Sequence, residues 1–415
     1  MKVLWLSNAV LSAGDKGVSG TWLDAMAQRL AASSRLMLSN IVTGNVSEPV
    51  SRNSPSIQQW LVPSSPPGKN GLPCRKTVEM VTRTIETQAP DLIHVWGVET
   101  WWGLLAARQL LNPSVPVLLE IQGLKGACAR VFAGGMTVSE QRNCRYLKEI
   151  LLGRSFVKDR KELLEWGRFE QEIIAGCRFI STQSPWVASW VQAANPDCTR
   201  FDVELMLRQA FYDSTPWSPA SPEPVIFCSS AYSVPYKGLH DAIRAVALLS
   251  RRFPEIRLRI AGSIQKSSFR QDGYVRWLNN LCTELGIANR VDWLGPLTAD
   301  QIVREIQNCS AFVMPSHCES YCVALAEALY LGCPAVTAYT GGTAWLASDE
   351  VTGLFYPPGD EAMCARQLER ILTNRELASR LSCNARTGAQ ERNNPDSIIA
   401  NQLDIYRRTI AKSSD

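Results

Sequence analysis

Glu319-Ser-Tyr-Cys-Val-Ala-Leu-Ala-Glu327, continuing as Ala-Leu-Tyr-Leu-Gly-Cys-Pro334, is the stretch from which the fold of this chain is read. Two carboxylates stand eight residues apart, the second inside an apolar helical run that opens straight after a strand pattern. Eight helical residues rise about 12 Å and carry the second side chain only about 80° past the first. Acids so spaced suit the two ends of an extended, hydroxyl-rich ligand such as a nucleotide-activated sugar.

Working outward, short β runs alternate with helical patterns. In the second half, residues 225–228, 257–261, 291–294, 311–314 and 335–337 read as strands, and 239–252, 275–285, 299–307, 323–331 and 360–372 as helices. In the first half, 3–6, 92–95 and 116–121 read as buried strands, and 21–32, 101–111 and 159–175 as helices. Such alternation predicts parallel sheets covered on both faces. Between the halves, Ser214 to Pro224 holds four prolines in eleven residues, which suits an extended linker. The expected architecture is α/β, with two doubly wound, Rossmann-like domains facing each other across a cleft. Residues 1–214 form the first domain, 215–224 the linker and 225–392 the second domain. The remainder, 393–415, holds an amphipathic helix (397–411) packing back toward the first domain. Ligands of such sheets bind at the carboxyl ends of their strands.

Composition narrows the function. The 415 residues exceed one ordinary core, and 46% hydrophobic with 20% charged residues are globular values. A net charge of +4 without a basic block gives nucleic-acid binding no support. Thirteen cysteines without a C-x-x-C pair, and only three histidines, argue against structural zinc and a disulfide framework. Free thiols in a reducing cytoplasm are the expectation. Met1–Leu6 resembles the start of a signal peptide, but Ser7 and Asn8 interrupt the apolar run, so a first strand is expected. No run approaches the length of a membrane-spanning helix.

Several short motifs carry chemistry. Ser229 to Gly238 follows a strand and precedes a helix, where an α/β domain places a phosphate loop. There Lys237 offers an ammonium and Gly238 close backbone approach; a surface lysine beside a turn glycine is the plain alternative. Ser320 or Tyr321 is expected to begin the next helix and aim free amides and the positive dipole end at the cleft. Thr340-Gly341-Gly342-Thr343 leaves room for a ring, or forms an ordinary turn. No Asp-x-Asp pair is present to hold a divalent metal in the usual carboxylate manner.

Taken together, Lys237-Gly238, Glu319-x7-Glu327, Gly332-Cys-Pro334, Gly341-Gly342 and Gly353-Leu-Phe-Tyr-Pro-Pro-Gly-Asp360 resemble the donor-binding domain of retaining glycosyltransferases of family 4, which have the GT-B fold. The resemblance covers residues 225–375. It implies that Lys237 contacts the donor diphosphate, Glu319 the hydroxyls of the transferred sugar and Glu327 the ribose. Ser320, Tyr321, Cys322, Gly341, Gly342 and Thr343 would complete the donor site, without cofactor or metal. Two positions depart from the pattern: Tyr232 stands where the family has Arg, and Cys322 where it has Gly.

In the first half the resemblance makes Lys16-Gly-Val-Ser-Gly20-Thr-Trp22 a glycine loop near the donor phosphate, with Gly20 in the site. Gln122, in Ile121-Gln-Gly123, stands where many relatives carry His. It cannot act as a base, and in the front-face mechanism the departing phosphate takes the acceptor proton, leaving Gln122 to steady sugar or acceptor. Ile-Gln-Gly and His94-x-Trp-Gly-x-Glu99 resemble a subset of exopolysaccharide transferases. Glu99, Trp96 and Trp101 are placed on the acceptor side, although core packing explains the tryptophans equally well. His94 reads as a strand residue, and His317 as a structural neighbour of the site.

Between Arg142 and Arg168, eight Lys or Arg mix with Leu163, Leu164, Trp166 and Phe169, and with the acids Glu149, Asp159, Glu162 and Glu165. The stretch reads either as an element lying on the cytoplasmic membrane face or as a solvated helix with internal ion pairs. The expected activity is transfer of a sugar from a nucleotide-sugar donor to a glycan or lipid-linked acceptor in cell-surface polysaccharide synthesis. A catalytically impaired sugar-nucleotide-binding partner, a GT-B epimerase or a phosphorylase are the alternatives.

Overall fold

The structure, a computed structural model, describes residues 1–11, 21–33, 36–53, 57–145, 151, 155–218, 223–263 and 273–413. Among the described residues, fourteen strands form two sheets. The first contains β1 (Lys2–Leu6), β2 (Met37–Gly44), β3 (Val50–Asn53), β4 (Gln58–Pro63), β5 (Leu92–Trp96), β6 (Val117–Glu120), β7 (Phe179–Thr182) and β8 (Thr199–Asp202), in the order β3-β4-β2-β1-β5-β6-β7-β8. The second contains β9 (Val225–Tyr232), β10 (Arg257–Ser263), β11 (Val291–Gly295), β12 (Ala311–Met314), β13 (Ala335–Ala338) and β14 (Leu354–Tyr356), in the order β11-β10-β9-β12-β13-β14. Every pairing is parallel except β3 with β4.

Strand order reverses at β1/β5 in one sheet and at β9/β12 in the other. These switch points open a crevice at the carboxyl ends of the strands. The loop after β9 carries Lys237 and the loop after β12 carries Glu319. The loops after β5 and β6 carry Glu99 and Gln122.

Val3, Leu4, Trp5 and Leu6 are buried in the middle of the first sheet, as the unbroken apolar run of a central parallel strand requires. The helix Pro395–Ser413 crosses back onto this sheet against β5 and β6. Its Tyr406 hydroxyl accepts the Trp5 indole N–H at 3.0 Å and meets His94 Nδ1 at 2.8 Å. The proline-rich connection is pinned: Trp217 is buried, and its indole donates to the Cys309 carbonyl at 2.7 Å. Residues 219–222 of that connection lie outside the described residues.

Strand β2 escapes an apolar-run reading because it buries Asn40. Asn40 accepts from Ser7 Oγ at 2.8 Å and donates to Gln59 and to the Ala9 carbonyl. That network satisfies polar groups which would otherwise be costly to bury.

Candidate functional site

Pro235–Lys237 forms one 3-10 turn after β9. Gly238 ends it in the left-handed region, with φ 68°, and a Cβ there would run into the Pro315 carbonyl oxygen. Both facts demand glycine. The turn aims Lys237 into the cleft, where its Nζ lies 2.6 Å from Glu319 Oε1. Burial pulls the lysine pKa down, but the adjacent Glu319 carboxylate outweighs it and holds the ammonium charged.

Glu319 does not share a helix with Glu327. The helix runs Val323–Leu331, and its N-cap, Cys322, has φ 84° and ψ 73°. Neither Ser320 nor Tyr321 therefore begins the helix, and the helical rise calculated between the two acids does not apply. A left-handed non-glycine residue costs about 1–2 kcal/mol, which gives a physical reason for glycine in the family pattern at this position. Cys322 is buried beneath the site.

The loop bearing Glu319 is fastened on two sides. Ser320 Oγ donates to the Gln122 carbonyl, and Ser184 Oγ donates to the Ser320 carbonyl at 2.7 Å. Gly341, at φ 46°, and Gly342 press against the Glu319 and Ser320 carbonyls, and Gly342 N–H donates to Glu319 O at 2.8 Å. The glycine pair thus lets two loops touch; it does not keep space open for a ring. Thr343 is buried and its hydroxyl bonds within its own turn, to Thr340 and Ala338.

Two expected donor contacts are already engaged. Glu327 forms a bidentate ion pair with Arg208, both bonds 2.7 Å, with the Glu327 side chain only 3% exposed. Tyr321 is buried, its hydroxyl donating to Glu204 at 3.0 Å and accepting from Asn393 at 2.9 Å. Tyr232 ends β9, but its side chain, like all of Gly20, lies outside the described residues.

A cavity of about 650 Å³ separates the halves. Lys237, Glu319, Ser320, Tyr236 and Cys318 line it from one side, and Gln122, Glu99, Trp96, Lys125, Cys128, Trp22 and Trp186 from the other. Trp96 reaches the cavity wall while remaining 1% exposed, packed edge-on against Trp5 and Trp22. Trp101 does not line the cavity; it stacks in the core on Trp102, ring centres 4.1 Å apart, so its acceptor-side placement is corrected. Trp22, at the end of the glycine-loop motif, lines the cavity, as does Trp186, which no motif marked out.

Glu99 sits over Gly97 and Gly123, whose missing side chains make room for its carboxylate. Its Oε2 is sealed from solvent without a hydrogen bond, and burial pushes its pKa up to about 7. Lys125 Nζ donates to the Glu99 carbonyl at 2.6 Å. Next to it, Glu170 accepts the Lys125 and Gly126 amides and is also pushed up to about 7, chiefly by burial. Lys125 stands three residues after Gln122, at the start of the helix that follows its loop, so sequence proximity alone could have flagged it.

His94 lies fully buried in β5. His240, Asp241 and His317 bring ligand-type atoms within 4.8 Å of one another. Each already has a protein partner: His240 meets Tyr274 and the Gly134 carbonyl, and His317 Nε2 lies 2.7 Å from Asp241. In the helix Phe156–Gly176, Lys158 and Lys161 pair with Glu162 and Glu165. The neighbouring residues 146–150 and 152–154 lie outside the described residues, and no described helix is long and apolar enough to cross a membrane.

Two parallel-sheet Rossmann-like domains meeting at such a cleft are the GT-B fold of glycosyltransferases. Residues 214–388 match the family model described as glycosyl transferases group 1. A D-inositol 3-phosphate glycosyltransferase of Saccharomonospora viridis is 34% identical over 184 residues, 43% of this chain and 41% of the relative. The chain spans about two-fifths of the length of such curated relatives. Among solved structures, sucrose-phosphate synthase from Thermosynechococcus elongatus superposes with a TM-score of 0.75 at 19% identity, covering 99% of both chains. Anabaena HepE, solved with UDP-glucose, superposes at 0.68 and 19% identity over 97% of this chain and 99% of its own. At these identities the structural likeness speaks to fold alone.

Proposed function

We propose that the chain is a retaining glycosyltransferase that moves a hexosyl group from a nucleotide-sugar donor to a glycan or lipid-linked acceptor, without a metal, in cell-surface polysaccharide synthesis. The Lys237–Glu319 pair at the β9/β12 switch point is the observation that carries the reading. The acceptor oxygen bonds to the anomeric carbon on the face from which the diphosphate oxygen departs, and the acceptor proton passes to that phosphate. Lys237 and the first-turn amides of helix Val323–Leu331 stabilise the developing negative charge. Glu319 accepts from sugar hydroxyls, and Gln122 and Glu99 orient the acceptor. The mixed basic and apolar sequence of residues 142–168 is the basis for proposing peripheral contact with the cytoplasmic membrane face.

The test incubates the protein with UDP-, GDP- and ADP-hexoses and a panel of glycan acceptors, and measures nucleoside diphosphate release and product anomer. Release that disappears in Glu319→Ala, in protein that still unfolds in a single cooperative melt at the assay temperature or above, is expected. Full activity in that variant defeats the assignment, and isomerised sugar nucleotide formed without acceptor indicates an epimerase. Arg208 holding Glu327 favours a second reading, a catalytically impaired sugar-nucleotide-binding partner. Nucleotide binding without turnover across the acceptor panel supports that second reading.

A further inference from the structure

Cys128 lies on the short helix Lys125–Arg130 of the first half, and Cys318 directly precedes Glu319 in the second. They are 190 residues apart in sequence, yet their sulfurs are 3.8 Å apart. Both line the cleft cavity. We infer that this pair is an oxidative modification site, which a hydroperoxide converts into a disulfide that ties the two halves together across the cleft. The inference is independent of the proposed transferase activity.

Position separates this pair from the other cysteines in contact. Cys309 and Cys333 are closer, at 3.4 Å, but lie 3% and 0% exposed inside the core of one half. No peroxide reaches them without unfolding, and a bond between them would join nothing new. Cys128 is only partly buried and faces a cavity of about 650 Å³ that readily admits peroxide.

The two thiols are also chemically unequal. The S–H of Cys318 stabilises a thiolate at Cys128, burial opposes this, and the nearby Lys237 ammonium assists; the net effect lowers the Cys128 pKa. The contact with Cys128, and burial, push Cys318 the other way. Cys128, the more accessible of the two sulfurs, is the attacking one, and buried Cys318 the resolving one.

The Cys128 thiolate attacks one peroxide oxygen, the O–O bond breaks, and hydroxide leaves as Cys128 becomes a sulfenic acid. The Cys318 sulfur then attacks the Cys128 sulfur. The S–S bond forms, the S–O bond breaks, and the departing hydroxide takes the Cys318 proton as water. Overall, two thiols are oxidised and one peroxide is reduced to two waters. A disulfide needs sulfurs about 2.05 Å apart, so they close by less than 2 Å. The product locks the residue beside Glu319 onto the opposite wall of the cleft.

The test treats the full-length wild-type protein with hydrogen peroxide and maps peptides by mass spectrometry without reduction. A Cys128–Cys318 cross-linked peptide is expected, with a raised Tm that dithiothreitol reverses. In Cys318→Ser, Cys128 should stop at a sulfenic acid that dimedone traps. The inference is overturned if Cys128 stays a thiol under peroxide. It is equally overturned if wild-type Cys128 accumulates as sulfenic or sulfinic acid with no bond to Cys318. Because wild-type protein alone gives the deciding result, misfolding of a variant leaves the test intact.

Discussion

Arg208 and Glu327 offer the sharpest energetic test. The pair is bidentate, with side chains 16% and 3% exposed, and joins the segment leaving β8 to the helix that follows the Glu319 loop. Removing one partner of a buried pair typically costs about 3–5 kcal/mol, because the remaining charge is left uncompensated. Arg208→Met keeps most of the packing and removes both 2.7 Å bonds to the nearly sealed carboxylate, so a cost within that range applies. Glu327→Leu leaves the more exposed guanidinium and should cost less. In the double variant Arg208→Met/Glu327→Leu neither charge remains. Its cost should fall below the sum of the single costs by about 2–3 kcal/mol, the upper range for directly contacting residues. Urea unfolding followed by tryptophan fluorescence measures all four proteins. Additive costs, with no coupling beyond error, would refute the claim that the two charges compensate each other.

Other consequences follow from the cleft and its glycines. Glu99 and Glu170 have pKa values raised from 4.5 to about 7, so the folded state binds more protons than the unfolded one between those values. Stability should therefore fall as pH rises from 4.5 to 7 and stay lower above it; Glu99→Gln should make that fall shallower in melts recorded from pH 5 to 8. Gly238→Ala should cost about 1–2 kcal/mol for its left-handed backbone alone, and more from the clash with Pro315. It should also abolish sugar transfer by displacing Lys237, as seen in a melt and a donor-release assay on the same sample. Cys322→Gly should change stability by less than about 1 kcal/mol, because relief of left-handed strain is offset by the lost buried side chain and by glycine's greater chain entropy.

The parts of the fold that repeat one physical signal were legible from sequence. The strand 311–314 is an unbroken apolar run and helix 323–331 is apolar apart from Glu327, and the structure places them at those residues. Strand β2 was hidden because its buried Asn40 belongs to a polar network rather than an apolar pattern. Lys237 and Glu319 could be paired in thought because each lies after a strand of one sheet, and they meet at 2.6 Å. Arg208 could not: it is 119 residues from Glu327, and no local periodicity links them. The eight-residue spacing of the two glutamates suggested one helix, but positive φ at Cys322 breaks the chain direction between them. Trp101 and Trp102 show a limit of composition, since adjacent aromatics serve a core or a binding platform equally well until packing decides.

The most direct test of a donor site at the β9/β12 switch point is calorimetric titration of UDP, GDP and ADP into wild-type protein and Lys237→Met. A charge-assisted hydrogen bond to phosphate contributes about 1.5–3 kcal/mol, so loss of the ammonium should weaken binding roughly 10- to 100-fold. The expected result is that at least one of the three nucleotides binds the wild type and loses that affinity in the variant. Failure of all three to bind, or equal binding to both proteins, would contradict the assignment of Lys237 and its cleft to a nucleotide-sugar donor.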